Sequence, residues 1–260
     1  MPIDTVDKEH FTGGKTEGGI TSSYATDDGV QLKVAYSFMG SIYDDAEQKQ
    51  ALEVGAKFRE LQFPCDIIYQ DIGWVDKLQN FEWNKHNYSD PRGMTRQLRD
   101  MGFRVIVSQD PIISQNNREQ WAEADSLGFF VKDKRTGKTY DMPWPWGGNC
   151  GVVDFTLPAV AEWWGAYQQK AIDDGVAGFW TDMGEPAWSN EEEDDRLNMV
   201  HHKGCHAAIH NVYGLYWDRI VTEEFNRRNP DRRIFQMTRA AFAGMQRYCF
   251  SWTGDCGNNG

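Results

Sequence analysis

The chain has 260 residues, enough for one large α/β domain or two small ones. Its formal net charge of −12 at pH 7 argues against a nucleic-acid partner, because nucleic acids bind basic surfaces. The hydrophobic fraction of 40% is ordinary, and no apolar run approaches the roughly 18 residues that would predict a membrane span.

Residues 1–33 are polar and rich in glycine, and we expect them to form an irregular lead-in. From residue 34 onward, short apolar runs alternate with stretches of helical spacing. The predicted strands are Val34–Met39, Asp66–Asp71, Phe103–Ser108, a strand ending at Asp182, Arg233–Thr238 and Tyr248–Trp252. The predicted helices are Asp44–Leu61, Gly93–Met101, Pro158–Asp173 and one within residues 201–229.

This alternation of strands and helices predicts a parallel sheet with right-handed crossovers. A closed (β/α)8 barrel needs eight strands and typically about 250 residues, whereas only about six strand–helix steps are visible here. Insertions near residues 128–155, read as a hairpin and a loop, and near residues 183–212 use up further length. We therefore predict an α/β fold, a TIM-type (β/α)8 barrel over residues 34–260 that is truncated after about six strands.

Two aromatic-rich apolar runs near the end of the chain stop abruptly at an aspartate, at Asp182 and at Asp255. The carboxyl end of a buried parallel strand places such a side chain in a crevice. Tryptophan lies close to each acid, at Trp180 and Trp252, and the chain has 11 tryptophans in all. Flat rings stack on sugars, although an aromatic-rich core would give the same count. The pair of acids suggests carboxylate chemistry on a sugar.

Four segments in order resemble glycoside hydrolase family 31, the retaining α-glucosidases and α-xylosidases. They are Pro64–Ile72, Trp146 with Val153–Pro158, Phe179–Glu185, and Thr238–Tyr248 followed by Ser251–Asp255. The resemblance implies a TIM-type barrel acting on an α-linked oligosaccharide or glycoside, with no metal or organic cofactor. It implies nothing about the oligomeric state.

The resemblance also implies roles for individual residues. Asp182 would be the nucleophile and Asp255 the acid/base, while Asp71 and Arg239 would bind sugar hydroxyls. The further substrate contacts that we expect are Ile72, Trp146, Trp180, Met183, Trp252 and Tyr43, with Glu185 as a supporting hydrogen-bonding residue. Trp146 and Trp180 would also fit a core, and Tyr43 would equally fit loop packing. An aspartate that ends an apolar strand is also often a turn or helix cap.

These residue types suit a retaining reaction, which takes two carboxyl groups about 5–5.5 Å apart on opposite faces of the sugar. Asp182 would attack as a carboxylate. Asp255 would first donate a proton and later accept one, which requires a raised pKa. An apolar surround such as Phe250 and Trp252 favours that shift through desolvation.

One cluster holds metal-ligand types, namely His201, His202, Cys205 and His206. On a helix, His202 and His206 would share a face, but Lys203 stands where the glutamate of H-E-x-x-H would follow the first histidine. We therefore predict no metal. The acidic run at residues 191–195 is most simply a solvated loop, with a calcium site as the lesser alternative.

The substrate prediction rests on Trp180, which lies two residues before the expected nucleophile. A tryptophan at this position resembles the α-glucosidase members, whereas the α-xylosidase members tend to have lysine there. We therefore expect a retaining α-glucosidase. An α-xylosidase or an α-transglucosylase would use the same aspartates, and an inert or non-catalytic sugar-binding fragment is a further alternative. The N-terminal residues do not resemble a signal peptide, so a cytoplasmic location is expected if that end is native.

Overall fold

The computed structural model describes residues 18–21, 35–38, 47–76, 81–144, 148–186 and 195–252, the first two ranges by their backbone alone. Three of the predicted site residues, Tyr43, Trp146 and Asp255, lie outside these ranges. The chain divides into two compact units, which are described separately.

The first unit comprises Met1–Trp74, Trp83–Val107 and Asp174–Ala177. Its strands and helices are β1 (Gly18–Thr21), β2 (Ala35–Phe38), α1 (Glu47–Glu60), β3 (Ile67–Gln70), α2 (Pro91–Asp100) and most of β4 (Arg104–Gln109). Strand β3 pairs in parallel with β2 on one side and with β4 on the other. Helix α1 connects β2 to β3 and helix α2 lies between β3 and β4, which is the predicted alternation of strands and helices. Strand β1 pairs antiparallel with β2 and lies within the lead-in that we expected to be irregular.

Packing in this unit follows from its apolar pattern. All four residues of β3 are buried, as is typical of a parallel strand covered on both faces. Helix α1 approaches α2 closely at Gly55, where an added Cβ would lie 2.9 Å from Leu98 Cδ2. Phe58 and Phe103 meet edge to face beside this contact, with ring centroids 6.4 Å apart. Glycine at position 55 therefore permits the helix contact that covers the sheet.

Helix α2 begins with a side-chain cap. Asp90 Oδ1 accepts a hydrogen bond of 2.9 Å from the Gly93 backbone N–H, and Pro91 fills the first helical position. We expect Asp90→Ala to lower the free energy of unfolding by about 1 kcal/mol, because it leaves this N–H without its acceptor. Urea denaturation of the variant beside Asp90→Asn checks this, since asparagine caps about as well. Equal losses in both variants would contradict the capping role.

The second unit comprises Val75–Glu82, Ser108–Asp173 and Gly178–Gly260. Its elements after the end of β4 are β5 (Ile112–Ser114), α3 (Arg118–Ser126), β6 (Lys132–Asp133), β7 (Asp141–Trp144), β8 (Gly148–Val152), α4 (Val160–Asp173), β9 (Gly178–Thr181), β10 (Met199–His201), β11 (Gly204–Cys205), α5 (His206–Arg228), β12 (Phe235–Thr238) and β13 (Phe250–Ser251). Strand β12 pairs in parallel with both β9 and β13. Two small antiparallel sheets, β5-β8-β7 and β11-β10-β6, accompany these parallel strands.

Aromatic side chains fill the core of this unit, where α4 packs against α5. Phe155 stacks on Trp217 at 5.2 Å and meets Trp164 edge to face at 4.9 Å. All three side chains are fully buried. Trp144 and Trp163, like Trp164, are buried as expected of packing residues. Within the described residues, no helix is both long and apolar enough to span a membrane.

Several elements differ from the sequence prediction. The helix expected within 201–229 begins only at His206, because Met199–His201 and Gly204–Cys205 form a tight antiparallel hairpin. In the hairpin and loop expected near residues 128–155, Lys132 and Thr139 form an isolated bridge. The longer hairpin joins β7 and β8. Strand β5 and helix α3 were not predicted.

Candidate active site

Three parallel strands of the second unit end level with one another. The register pairs Thr181 with Thr238, and Thr238 with Ser251, so the last residues of β9, β12 and β13 lie side by side. The residues that follow these ends are Asp182, Arg239 and Trp252. The carboxyl edge of parallel strands is where α/β proteins place ligand-binding groups, and the sequence prediction placed these three residues in the site.

Asp182 is held at the strand end by its backbone. Its N–H donates to the Gln109 carbonyl oxygen at 2.9 Å, and its own Oδ1 accepts from the Met183 N–H at 2.8 Å. The side chain is 19% exposed, so it is accessible but partly enclosed. Met183 has a left-handed backbone, with φ at 59°, which turns the chain sharply after the acid. The expected nucleophile thus sits on a fixed corner.

Arg239 joins two carboxylates. Its Nε and Nη2 donate to Glu185 Oε1 and Oε2, both at 3.0 Å, in a two-pronged pair. The same Nε lies 3.3 Å from Asp182 Oδ1. A cation at this distance favours the ionised form of a carboxyl group, which is the form a nucleophile needs. Glu185 therefore orients the arginine, as we expect of a supporting residue, and the arginine faces the acid.

Aromatic and thioether groups surround this cluster. Trp180 and Trp252 meet edge to face with ring centroids 5.2 Å apart. Trp180 is only 8% exposed, and Met183 is likewise buried, with its Sδ 2.8 Å from Arg239 Nη2. Much of Trp180 thus belongs to the core, so its contact with a sugar stays a prediction.

Asp71 and Ile72 belong to the first unit, directly after β3. The Ile72 N–H donates to Asp71 Oδ1 at 2.6 Å, which fixes the carboxyl group at the strand end. The preceding Gln70 is fully buried, with its Oε1 2.6 Å from the Tyr88 hydroxyl. That hydroxyl also lies 2.7 Å from Glu47 Oε2, and burial raises the pKa of Glu47. A buried polar network therefore supports the residue before Asp71.

The sequence prediction overlooked Asp110, which follows β4 just as Asp182 follows β9. Asp110 is buried, and its Oδ2 accepts from Trp144 Nε1 at 3.0 Å. An available signal was the run Ser108-Gln109-Asp110, in which an apolar strand turns polar at its carboxyl end. Because the Asp182 N–H bonds to the Gln109 carbonyl, Asp110 belongs to the same strand edge.

The histidine cluster has a different geometry from the one considered in the sequence. His202 precedes α5, so it does not share a helix face with His206. Instead, His201 Nε2 lies 2.9 Å from His206 Nδ1, and the His202 N–H donates to Asp154 Oδ2 at 2.5 Å. Burial lowers the pKa of His206 to about 3. Among the described residues, no three His, Cys, Asp or Glu side chains are grouped to hold a metal ion.

Ala240, the residue after Arg239, packs closely against Gly214 of α5. An added Cβ at Gly214 on α5 would lie 2.7 Å from both the Cβ and the carbonyl oxygen of Ala240. We expect Gly214→Ala to push this backbone away, displace Arg239 and lower kcat by about tenfold. A kinetic assay beside Gly137→Ala, at an exposed turn, checks this. A Cβ at Gly137 would meet nothing within 4 Å, so its left-handed backbone (φ 69°) should make that variant less stable without changing kcat. Unchanged kcat in Gly214→Ala would contradict the expectation.

Comparison with known proteins agrees with this geometry. The family model "Glycosyl hydrolases family 31 TIM-barrel domain" matches residues 30–259. Neutral alpha-glucosidase AB of Homo sapiens is 31% identical over 252 residues, which is 93% of this chain and 26% of that protein. The chain thus spans about a quarter of the length of the relatives it matches.

Solved structures give the same result. The GH31 dextranase of Flavobacterium johnsoniae, in complex with glucose, is 67% identical with a TM-score of 0.79, over 83% of this chain and 26% of that one. The catalytic subunit in the ER glucosidase II complex is 30% identical with a TM-score of 0.74, over 82% and 24%. The predicted TIM-type barrel and family resemblance are confirmed: this chain belongs to glycoside hydrolase family 31 and is part of that family's TIM-barrel domain.

Proposed function

We propose that the protein containing this chain is a retaining α-glycoside hydrolase that cleaves α-glucosidic bonds by double displacement. The observation that carries the proposal is the cluster of Asp182, Arg239 and Glu185 at the ends of β9 and β12. It combines an accessible carboxylate with a fixed cation beside it. The family membership gives this cluster its reaction class.

In the first step, the Asp182 carboxylate attacks the anomeric carbon while the glycosidic C–O bond breaks. The leaving oxygen takes a proton from Asp255, which lies outside the described residues. Arg239 keeps Asp182 ionised before the attack and is in turn held by Glu185. A covalent glycosyl-enzyme results.

In the second step, water gives a proton to Asp255 and its oxygen attacks the anomeric carbon, releasing Asp182. Two inversions give net retention, so the product keeps the α configuration. Arg239 is the group beside Asp182 that we assign to the sugar hydroxyls, with Trp180, Trp252 and Met183 as apolar walls. Asp71, Ile72, Tyr43 and Trp146 are assigned to substrate binding by resemblance alone.

Within the α-glucosides, we assign the protein to glucans of the dextran type. The support is the 67% identity to a dextranase, a variant of which is described in complex with isomaltotriose at 66% identity. An α-xylosidase is the less favoured alternative, since Trp180 occupies the position expected of a glucosidase.

The test measures hydrolysis of isomaltotriose, p-nitrophenyl α-glucoside and p-nitrophenyl α-xyloside by the complete protein, with the first-formed anomer followed by NMR. We expect turnover of the glucosides and initial release of the α-anomer. Initial release of the β-anomer would contradict retention. Sugar binding without any turnover would instead identify a non-catalytic sugar-binding protein.

A further inference from the structure

Asp218 lies on α5 and is fully buried. Its Oδ1 accepts two hydrogen bonds, from Thr181 Oγ1 at 2.7 Å and from Gln236 Nε2 at 3.1 Å. Thr181 is the last residue of β9, and Gln236 belongs to β12. One carboxylate oxygen therefore links two adjacent parallel strands.

A second group on α5 completes the link one helical turn later. Thr222 Oγ1 lies 2.5 Å from Gln236 Oε1 and 2.9 Å from the carbonyl oxygen of Tyr248, shortly before β13. The amide of Gln236 is thus held at both ends by α5. The same helix face thus contacts β9, β12 and Tyr248, which lies two residues before β13.

The position of Thr181 matters because successive residues of a strand point to opposite sides. Thr181 points towards α5 and bonds to Asp218. This contact fixes the backbone from which Asp182, the next residue, extends. A shift of β9 against β12 would change the separation of Asp182 and Arg239, which now stand 3.3 Å apart.

The ionisation of Asp218 suits an acceptor. Burial raises its pKa to about 6, against hydrogen bonds from Thr181, Cys249, Thr238 and Gln236 that lower it. The carboxyl group is therefore mostly ionised at neutral pH. A buried carboxylate costs free energy that an apolar residue of similar size would avoid. Leucine at this position could not link β9 to β12 by hydrogen bonds, so the link rather than stability distinguishes Asp218 from an apolar residue.

We propose that Asp218 is a positioning residue that fixes β9 against β12 and so holds Asp182 beside Arg239. This inference rests on the proposed function, because it assigns Asp218 a role in that reaction. Asp218 does not lie at the strand ends itself and acts on them through side chains of β9 and β12 such as Thr181 and Gln236.

The test compares Asp218→Leu and Asp218→Asn in the complete protein. Leucine has the same branched shape as aspartate but is larger, and it removes both hydrogen bonds. Asparagine has nearly the size of aspartate and keeps a carbonyl oxygen that can accept both. We expect Asp218→Leu to lower kcat about tenfold with KM within about twofold, and Asp218→Asn to stay within about threefold of wild type. Glu223→Gln, on the exposed face of the same helix, is the matched control.

A double-mutant cycle provides the second measurement. If Asp218 acts through Thr181, the effects of Asp218→Leu and Thr181→Val on kcat are not additive. Should the leucine variant fail to fold by near-UV circular dichroism, the cycle is run with Asp218→Ala, which removes the same acceptor without adding volume. Wild-type kcat in Asp218→Leu, or full additivity in the cycle, would overturn the proposal. Absence of turnover in the unmodified protein would overturn the proposed function itself, which separates the two failures.

Discussion

Asp182→Ala is expected to lower kcat for an aryl α-glucoside by at least about 10⁴-fold, because the covalent route loses its nucleophile. Substrate binding should persist, since other groups hold the sugar hydroxyls. Steady-state kinetics with Asp231→Asn as control measure the loss. Asp231 is exposed and lies in the turn between α5 and β12, so its change should leave kcat unaltered.

Added azide gives this prediction a positive readout. The alanine variant leaves space where the carboxylate stood, so azide can attack the anomeric carbon from the same face. One displacement then replaces two, and we expect a β-glycosyl azide, identified by NMR and mass spectrometry. An alanine variant that keeps wild-type kcat, or forms an α-glycosyl azide, would show that Asp182 is not the nucleophile.

Arg239→Met is expected to lower kcat/KM by about 10²-fold, because Asp182 loses its adjacent cation and Glu185 its partner. As the pH is lowered, the activity of this variant should also begin to fall at a higher pH than the activity of the wild type does. An acid without its cation protonates more readily, and the ionised nucleophile is the reactive form.

Arg239→Lys separates charge from geometry. Lysine keeps the positive charge but cannot form the paired contact that the guanidinium makes with both Glu185 oxygens. We therefore expect an intermediate loss and a pH profile closer to wild type. Kinetics from about pH 4 to 8 on both variants measure these effects. Wild-type kcat/KM in Arg239→Met would remove Arg239 from the mechanism.

The parallel strands could be predicted because they are short apolar runs with a clear end. Residues 66–71 and the strand ending at Asp182 were located to within about one residue, a good result for boundaries read from pattern. Hairpin Met199–Cys205 was not predicted, because its pairing depends on contacts with Asp133 and Lys132 that are distant in sequence. Strand β5 has only three residues, too few for a periodicity to be recognised.

The site was predicted chiefly through segments that resemble a family, and only partly through physical pattern. An acid at the end of an apolar strand suggested Asp182, and the same pattern applied at β4 would have suggested Asp110. The contact of Arg239 with Glu185 could not be read from the sequence, since it depends on the left-handed turn at Met183. Nor could the buried partner of Thr181 be identified, because Asp218 is 37 residues away along the chain.

Tryptophan content illustrates how composition can mislead. The count of 11 suggested stacking on sugars, yet Trp74, Trp164 and Trp217 are fully buried packing residues. Trp180 and Trp252, by contrast, meet beside the ends of β9 and β13. In this chain, aromatic richness mainly indicates a large core, and the position of a ring relative to a strand end is the more useful signal.

The level ends of β9, β12 and β13 bear on how the gene could be altered. Removing one residue inside β12 would send every later side chain of that strand to the opposite face, and Arg239 with them. Lengthening the turn at residues 230–232, by contrast, would add residues that lie outside the β9–β12 register. Libraries that vary length should therefore spare the four-residue strands and diversify the connecting segments, where codon insertions are compatible with an intact catalytic edge.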